Sequence, residues 1–337
     1  MRGRRQLRPR RRLGALRGAL AGAVADGAGG DAENSGAPGV VEPCSGRQPS
    51  LGPTSPKAGR YGGADLRSCP SGGCAFRCAY HGWTYGLDGR LLNAPECEGA
   101  ENFSFADFGL RPIRAEQWAN WIFVNLDPAA EPLLASLGEL APQTERFGLE
   151  KMRFCERRDY VMQCNWKAYV DNYLEGYHLP SVHPGLNREL DYGSYQSKQF
   201  ARHSVQYSPI RGPENEARGS RRYQAAEGMT AEYFWIFPNW MLNCYPDNVS
   251  LNVILPLGVE KTLAIFEWYF PADAKTGAAR ADALRFSDEI QMEDERICEV
   301  VQRNLRSRSY ERGRYSVKQE KCVHHFHRLY AQAMSES

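Results

Sequence analysis

Two histidines five residues apart in DNYLEGYHLPSVHPG, His178 and His183, are placed to hold a metal ion together. On one uninterrupted helix they would point about 140° apart. Pro180 removes that difficulty. Proline disfavours helix at the residue before it and cannot donate to the helical ladder, so the pattern predicts a helix over 167–178 closed by His178. His183 then sits in the following loop and turns back toward it. Two neutral imidazoles converging on one point suit a divalent transition metal.

A third ligand is found by helical phase. In FSDEIQMEDERICEVVQRNL the residues Ile290, Ile297 and Val301 share one expected inward face, and Asp294 falls among them. Its neighbours Glu293 and Glu295 are rotated about 100° to either side. Alone, such an aspartate reads as a capping or salt-bridging group. Beside two histidines it reads as a ligand, because a metal would offset the cost of a carboxylate on an apolar face. Two histidines and one carboxylate with open positions make the facial triad of non-haem Fe(II) oxygenases.

A second constellation lies upstream. Cys78 and His81 stand three apart in CAYHGWTYGLDGR, before a Gly-Trp turn and a strand-like run. Cys74, Cys78 and His81 make a poor zinc site, since structural zinc draws on two well-spaced pairs.

The two stretches together carry a resemblance. NWK followed by DNYLEGYHLPSVHPGL resembles the catalytic signature of Rieske non-haem iron ring-hydroxylating oxygenase α subunits, a group that includes choline- and carnitine-type monooxygenases. YHGWTYGLDGRL resembles the second half of that family's iron–sulfur motif. The likeness covers residues 59–337. It implies an α+β chain: an all-β Rieske-like domain, truncated or degenerate here, then a helix-grip (START-like) catalytic domain with a curved antiparallel sheet. It implies mononuclear Fe(II) on His178, His183 and Asp294, with Asn172 near that iron. Glu175 matches the carboxylate that bridges the cluster of one subunit to the iron of the next. Many ring dioxygenases have aspartate there, whereas glutamate is found in the quaternary-ammonium group and other relatives. The implied reaction is O2-dependent hydroxylation of an aromatic or quaternary-ammonium small molecule. The implied partners are an NAD(P)H-dependent reductase or ferredoxin and two further copies in a homotrimer.

The family also implies a Rieske 2Fe–2S cluster, which takes two cysteines on one iron and two histidines on the other. Cys78 and His81 match its second ligand pair. The first pair would fall at 59 and 61, with sixteen residues intervening, where Gly59 and Tyr61 stand, and no histidine precedes His81. Ligand count therefore argues against a complete cluster. A second functional reading follows, a pseudo-oxygenase that binds a ligand in the helix-grip cavity without turnover.

The elements that must position these groups are legible in outline. WANWIFVNLD at 118–127 predicts a strand ending in a polar turn at Asp127-Pro128. A strand is expected over 157–166, paired strands over 241–258 and 261–272, and a helix over 286–305. The aromatics of EYFWIFPNW, Phe234, Trp235, Phe237 and Trp240, could cage a methylated ammonium, but alternation assigns them to sheet core. VHHFHRLYAQAM reads as an amphipathic terminal helix with structural histidines rather than a metal tract.

Composition sets the wider limits. The chain has 337 residues, 42% hydrophobic, with a net charge of +2, so nothing draws it generally to nucleic acid, and no apolar run has the length of a membrane span. Ten cysteines at irregular spacing do not form a disulfide framework, which points to the cytoplasm. Seven of the first twelve residues are Arg, and residues 1–60 lack Phe, Trp, Tyr and Ile. Residues 1–58 read as a disordered or degenerate leader: Arg17 interrupts the run that resembles an export signal, and no aromatics interleave the arginines as in a nucleic-acid binder. The expected domains are 59–128, a partial Rieske domain, and 129–337, the catalytic domain.

Overall fold

In the computed structural model, residues 21–22, 64–68, 74–211, 229–272 and 277–335 are described. Nearly all of the Arg-rich leader, and positions 59 and 61, lie outside them. Two units divide the chain, one ending at Leu133 and the other running from Leu134 to Ser337.

The first unit consists of short strands: β1 (Ala21–Gly22), β2 (Ala64–Ser68), β3 (Cys74–Cys78), β4 (Thr84–Gly86), β5 (Leu91–Asn93), β6 (Arg114–Trp118) and β7 (Trp121–Asn125). They form two small sheets, ordered β2-β3-β4-β5 and β1-β7-β6. The single strand expected over 118–127 is instead the turn and second arm of a hairpin. Trp118 pairs with Trp121 across two residues, and Ala119 takes a positive φ of 51° to make the reversal. Neither Ala119 nor Asn120 carries the glycine that usually advertises such a turn.

The second unit is built on one seven-stranded antiparallel sheet, ordered β8-β14-β13-β12-β11-β10-β9. Its strands are β8 (Met152–Met162), β9 (Gln196–Gln199), β10 (His203–Pro209), β11 (Thr230–Ile236), β12 (Trp240–Cys244), β13 (Val249–Gly258) and β14 (Lys261–Pro271). The run expected over 241–258 breaks between β12 and β13, because PDN at 246–248 makes a tight turn. Short helices α1 (Leu133–Leu137) and α2 (Leu140–Thr144) precede the sheet. Helix α3 (Trp166–Tyr173), the one-turn α4 (Leu179–Val182) and α5 (Pro184–Glu189) follow β8, and α6 (Ala278–Asn304) and α7 (Lys321–Ser335) close the chain. This α+β arrangement, long helices laid against a large antiparallel sheet, is the helix-grip architecture expected.

The core lies between sheet and helices. Trp235 is fully buried, meets Phe326 of α7 edge-on with ring centroids 5.3 Å apart, and shares its cluster with Met162, Leu174, Trp268 and Cys298. Phe234, Trp235 and Trp240 are buried and Phe237 packs against the cluster, as strand alternation predicts. The stripe on α6 is displaced from the expected one: Val301 is 42% exposed, and Cys298 and Gln302 are buried instead. A seven-residue spacing drifts around a helix of 3.6 residues per turn, and a polar Gln at the buried position hides the true centre. Among the described residues, no helix is long and apolar enough to cross a membrane.

Candidate metal centre

The three residues singled out for a metal meet at one place. His178, His183 and Asp294 each offer a donor atom, and these atoms lie within 4.8 Å of one another. The Nε2 atoms of the two imidazoles are 3.1 Å apart, and Oδ1 of Asp294 lies 3.0 Å from Nε2 of His183 and 3.6 Å from that of His178. His183 is nearly enclosed at 2% exposure, while His178 and Asp294 are partly accessible.

Pro180 brings the histidines together by a different route from the one expected. Helix α3 ends at Tyr173, and Pro180 opens the next helix rather than closing the last. Near the start of a helix a proline sacrifices no hydrogen bond, since those first N–H groups have no partner in the ladder. His178 is the residue before α4, and His183 lies at its end and immediately precedes α5. One helical turn thus carries the chain from one imidazole to the other. The backbone closes it: Val182 N–H donates to His178 O at 2.9 Å and His183 N–H to Leu179 O at 3.0 Å.

Both imidazoles are oriented by carboxylates on their far side. Glu175 grips His178 twice, Oε2 accepting from its backbone N–H at 3.0 Å and Oε1 from Nδ1 at 2.6 Å. Glu293 accepts from Nδ1 of His183 at 2.7 Å. With Nδ1 engaged in each ring, Nε2 is left as the free lone pair, the usual arrangement of metal-binding histidines. The sequence placed Glu293 away from the site. Its longer side chain spans the 100° step from Asp294 along α6, so helical phase alone could not find it. Burial pulls the His183 imidazole down, but the Asp294 and Glu293 carboxylates outweigh it and raise the pKa above its ordinary value. Asn172, on α3, donates from Nδ2 to Asp294 Oδ1 at 2.6 Å.

The centre opens into a cavity walled by one face of the sheet and by α3 and α6. Tyr233, Asn243, Asn252 and Phe266 come from adjacent strands, where Tyr233 pairs with Asn243 and Asn252 with Phe266. Tyr173, Tyr195 and Tyr245 add aromatic wall, and Tyr233 and Tyr245 meet edge-on at 5.9 Å. Burial holds the hydroxyls of Tyr169, Tyr173 and Tyr195 well above the usual phenol pKa, so they remain neutral. Tyr169 donates to Gln291 Oε1 at 2.5 Å, and Tyr173 lies 2.7 Å from Asn243 Oδ1. Gly176 permits this packing: a Cβ there would stand 2.6 Å from the Tyr195 ring. The cavity aromatics were not foreseen. Alternation marks which strand residues are buried, but not which buried face borders a hollow.

Cys78 ends β3 and His81 lies on the tight turn that follows, where Cys78 N–H donates to Trp83 O at 2.7 Å and Gly82 N–H to Cys78 O at 3.0 Å. Tyr80 is 84% exposed beside them. This pair supplies two ligands only, and sixteen residues before it, where the first pair would end, the sequence has Gly59 and Tyr61 in place of cysteine and histidine. The donor set thus fits a mononuclear ion in the second unit and does not fit a four-ligand cluster in the first.

Comparison with known proteins agrees with this geometry. The catalytic domain of the ring-hydroxylating α subunit matches residues 149–336. Choline monooxygenase of Arabidopsis thaliana, a chloroplastic protein, is 36% identical over 267 residues, 75% of this chain and 62% of that protein. The carnitine monooxygenase oxygenase subunit of Escherichia coli K12 is 32% identical over 277 residues, 77% of this chain and 71% of that one. The solved structure of a quaternary ammonium Rieske monooxygenase superposes with a TM-score of 0.68 at 26% identity, over 81% of this chain and 76% of that chain. Naphthalene 1,2-dioxygenase, at 17% identity and a TM-score of 0.56, shares the fold. The chain spans about 60% of the length of the plant relatives it matches.

Proposed function

The chain belongs to the ring-hydroxylating oxygenase α subunits, in the branch of the choline and carnitine monooxygenases, and we propose that its second unit oxidises a quaternary ammonium compound at an iron held by His178, His183 and Asp294. The family uses a mononuclear iron and a Rieske 2Fe–2S cluster. What carries the reading is the convergence of three donor atoms within 4.8 Å, with both histidine Nδ1 atoms turned outward onto carboxylates. When bound, the iron supplies O2 activation: one oxygen atom enters a C–H bond and the other leaves as water, with two electrons and two protons consumed.

The protein's own groups do the rest. Glu175 and Glu293 fix the rings, and Asn172 fixes the carboxylate, so the ligands are set before metal arrives. Neutral tyrosines and Phe266 line the substrate space, and aromatic faces attract a methylated ammonium through their electron-rich surfaces. Glu175, which the family resemblance marks as the link to a neighbouring subunit, is the group that orients His178.

Electron supply is the unusual feature. The first unit lacks half of the cluster ligands, so no step is routed through a cluster of this chain. We read the first unit as a Rieske-derived domain and the assembly as a trimer. Its electrons come from outside the chain, from a subunit with a complete ligand set or from an NAD(P)H-dependent reductase or ferredoxin. The same deficit supports a second reading, a pseudo-oxygenase whose cavity binds the cation without turnover. The plant relatives are chloroplastic by name, whereas the irregular cysteines here fit a reducing cytoplasm equally.

An anaerobic Fe(II) titration tests the reading. One iron per chain is expected, and none at that site when His178 and His183 are both replaced by alanine. Unchanged stoichiometry in that variant would remove the assignment. Product from a quaternary ammonium compound under a supply of reductase and O2 separates the oxygenase from the pseudo-oxygenase.

A further inference from the structure

The C-terminal helix reaches the metal centre through α3. His327 of α7 sets Nε2 2.8 Å from Oδ1 of Asp171 on α3, and the next residue, Asn172, sets Nδ2 2.6 Å from Oδ1 of Asp294. Consecutive side chains leave a helix about 100° apart, so α3 is gripped from two directions, by α7 and by the ligand on α6. The histidine is itself held: the Tyr315 hydroxyl lies 2.5 Å from its Nδ1, and the preceding residue, Phe326, is fully buried in the core. A line of bonds and hydrogen bonds thus runs from Tyr315, which is 46% exposed, to a metal ligand.

The geometry makes the inner contact sensitive to the outer one. Helix α3 has eight residues, too few to keep an orientation of its own, so its neighbours set it. Atoms at a helix surface lie about 5 Å from the axis, and a roll of about 10° moves them by about 0.9 Å. That carries the Asn172 amide out of hydrogen-bond range of Asp294. Tyr169 and Tyr173 tie α3 to α6 and to the sheet through their hydroxyls. Asp171, two residues from each, points about 160° away from both and supplies the charged tie on the other side. It is part-buried, and burial pushes its carboxyl pKa up. Without His327 the carboxylate must find another partner or turn toward water, and either movement rolls α3.

We propose that His327 is a positioning residue for the metal centre: through Asp171 it fixes the roll of α3, and so the aim of the Asn172 amide at Asp294. The inference rests on the metal reading above and extends the centre to a helix whose histidines the sequence marks as structural.

Anaerobic Fe(II) affinity of the full chain, measured by chelator competition, tests it with a double-mutant cycle. His327→Leu is expected to weaken Fe(II) at least about threefold, less than loss of Asn172, which touches the ligand directly. His327→Gln keeps an N–H donor near the place of Nε2 and should return affinity to within about twofold of wild type. Because His327 acts through Asn172, adding His327→Leu to Asn172→Ala should cost nothing further, whereas independent effects would multiply. Asp171→Ala removes the same hydrogen bond from the other partner, suits a helix, and repeats the cycle if His327→Leu folds poorly. Wild-type affinity in His327→Leu and Asp171→Ala, losses that multiply with Asn172→Ala, or a His327→Gln affinity no better than that of His327→Leu each overturn the proposal and leave the metal reading in place. A wild-type chain that takes up no iron overturns both.

Discussion

Asn172 Nδ2 lies 2.6 Å from Oδ1 of Asp294, the same oxygen that Nε2 of His183 meets at 3.0 Å. An amide on α3 thereby fixes the rotamer of a carboxylate on α6, and couples two helices through residues 122 apart in the chain. The oxygen is aimed before any metal is present, which lowers the reorganisation that binding requires.

Removing that donor should therefore weaken the metal more than the fold. Asn172→Ala is expected to lower Fe(II) affinity by about ten- to a hundredfold, as loss of an outer partner of a ligand does. Melting temperature should change little. Competition with a chromogenic chelator measures it, and wild-type affinity in the variant would show that Asp294 needs no such support.

Glu293 makes a charge-against-geometry comparison possible. Glu293→Gln keeps an acceptor near Nδ1 of His183, whereas Glu293→Ala leaves a donor in a ring that is 2% exposed. Alanine should reduce Fe(II) affinity by about tenfold or more, with glutamine in between. Equal affinities in wild type and both variants would mean that packing alone orients the ring.

These side chains also mark where sequence reading succeeds and where it stops. The meeting of His178, His183 and Asp294 was legible because Pro180 interrupts the helical phase between the histidines and Asp294 is a carboxylate on an expected apolar face. Glu293 was not, since periodicity places a Cβ and says nothing of how far a flexible glutamate reaches back. Pro180 was recognised as important and assigned the wrong end of a helix, because the same missing N–H permits a stop or a start. Strands β8, β13 and β14 and both long helices were legible in outline from alternation and amphipathic pattern, whereas β9 and β10 were not.

His327 of α7 supplies a prediction in pH. Its Nε2 lies 2.8 Å from Asp171 Oδ1 and its Nδ1 2.5 Å from the Tyr315 hydroxyl. The Asp171 hydrogen bond, opposed by burial, raises the imidazole pKa, and burial raises that of Asp171. A raised folded-state pKa means that the folded protein binds the proton more tightly than the unfolded one. The stabilisation is complete below the unfolded histidine pKa, about 6.5, and is lost as pH rises through the higher folded value. Glu320 and Lys167 are the other charges acting on this imidazole, and their effects oppose. Melting temperature should fall across that window in wild type and fall less in His327→Gln. Parallel profiles for the two proteins would show that the pair contributes nothing.

The last prediction concerns the iron–sulfur cluster and depends on counting ligands. A Rieske centre requires two cysteines and two histidines, and His81 is the only histidine before His178 in the whole sequence. Cys78 ends β3 and the Gly82 N–H to Cys78 O bond closes the turn that carries His81, so the second ligand pair keeps its spacing, while Gly59 and Tyr61 offer neither sulfur nor imidazole. Metal binding to such clusters is coupled to folding, and losing two of four ligands removes most of that coupling free energy. The purified chain should contain mononuclear iron without acid-labile sulfide, and show neither the visible absorption nor the reduced-state EPR signal of a Rieske centre. Gly59→Cys with Tyr61→His recreates the ligand spacing, and appearance of the signal in that variant would locate the deficit in ligation alone. Two additional irons with sulfide in the unmodified protein would refute the argument, because they would require a second histidine that the first unit does not possess.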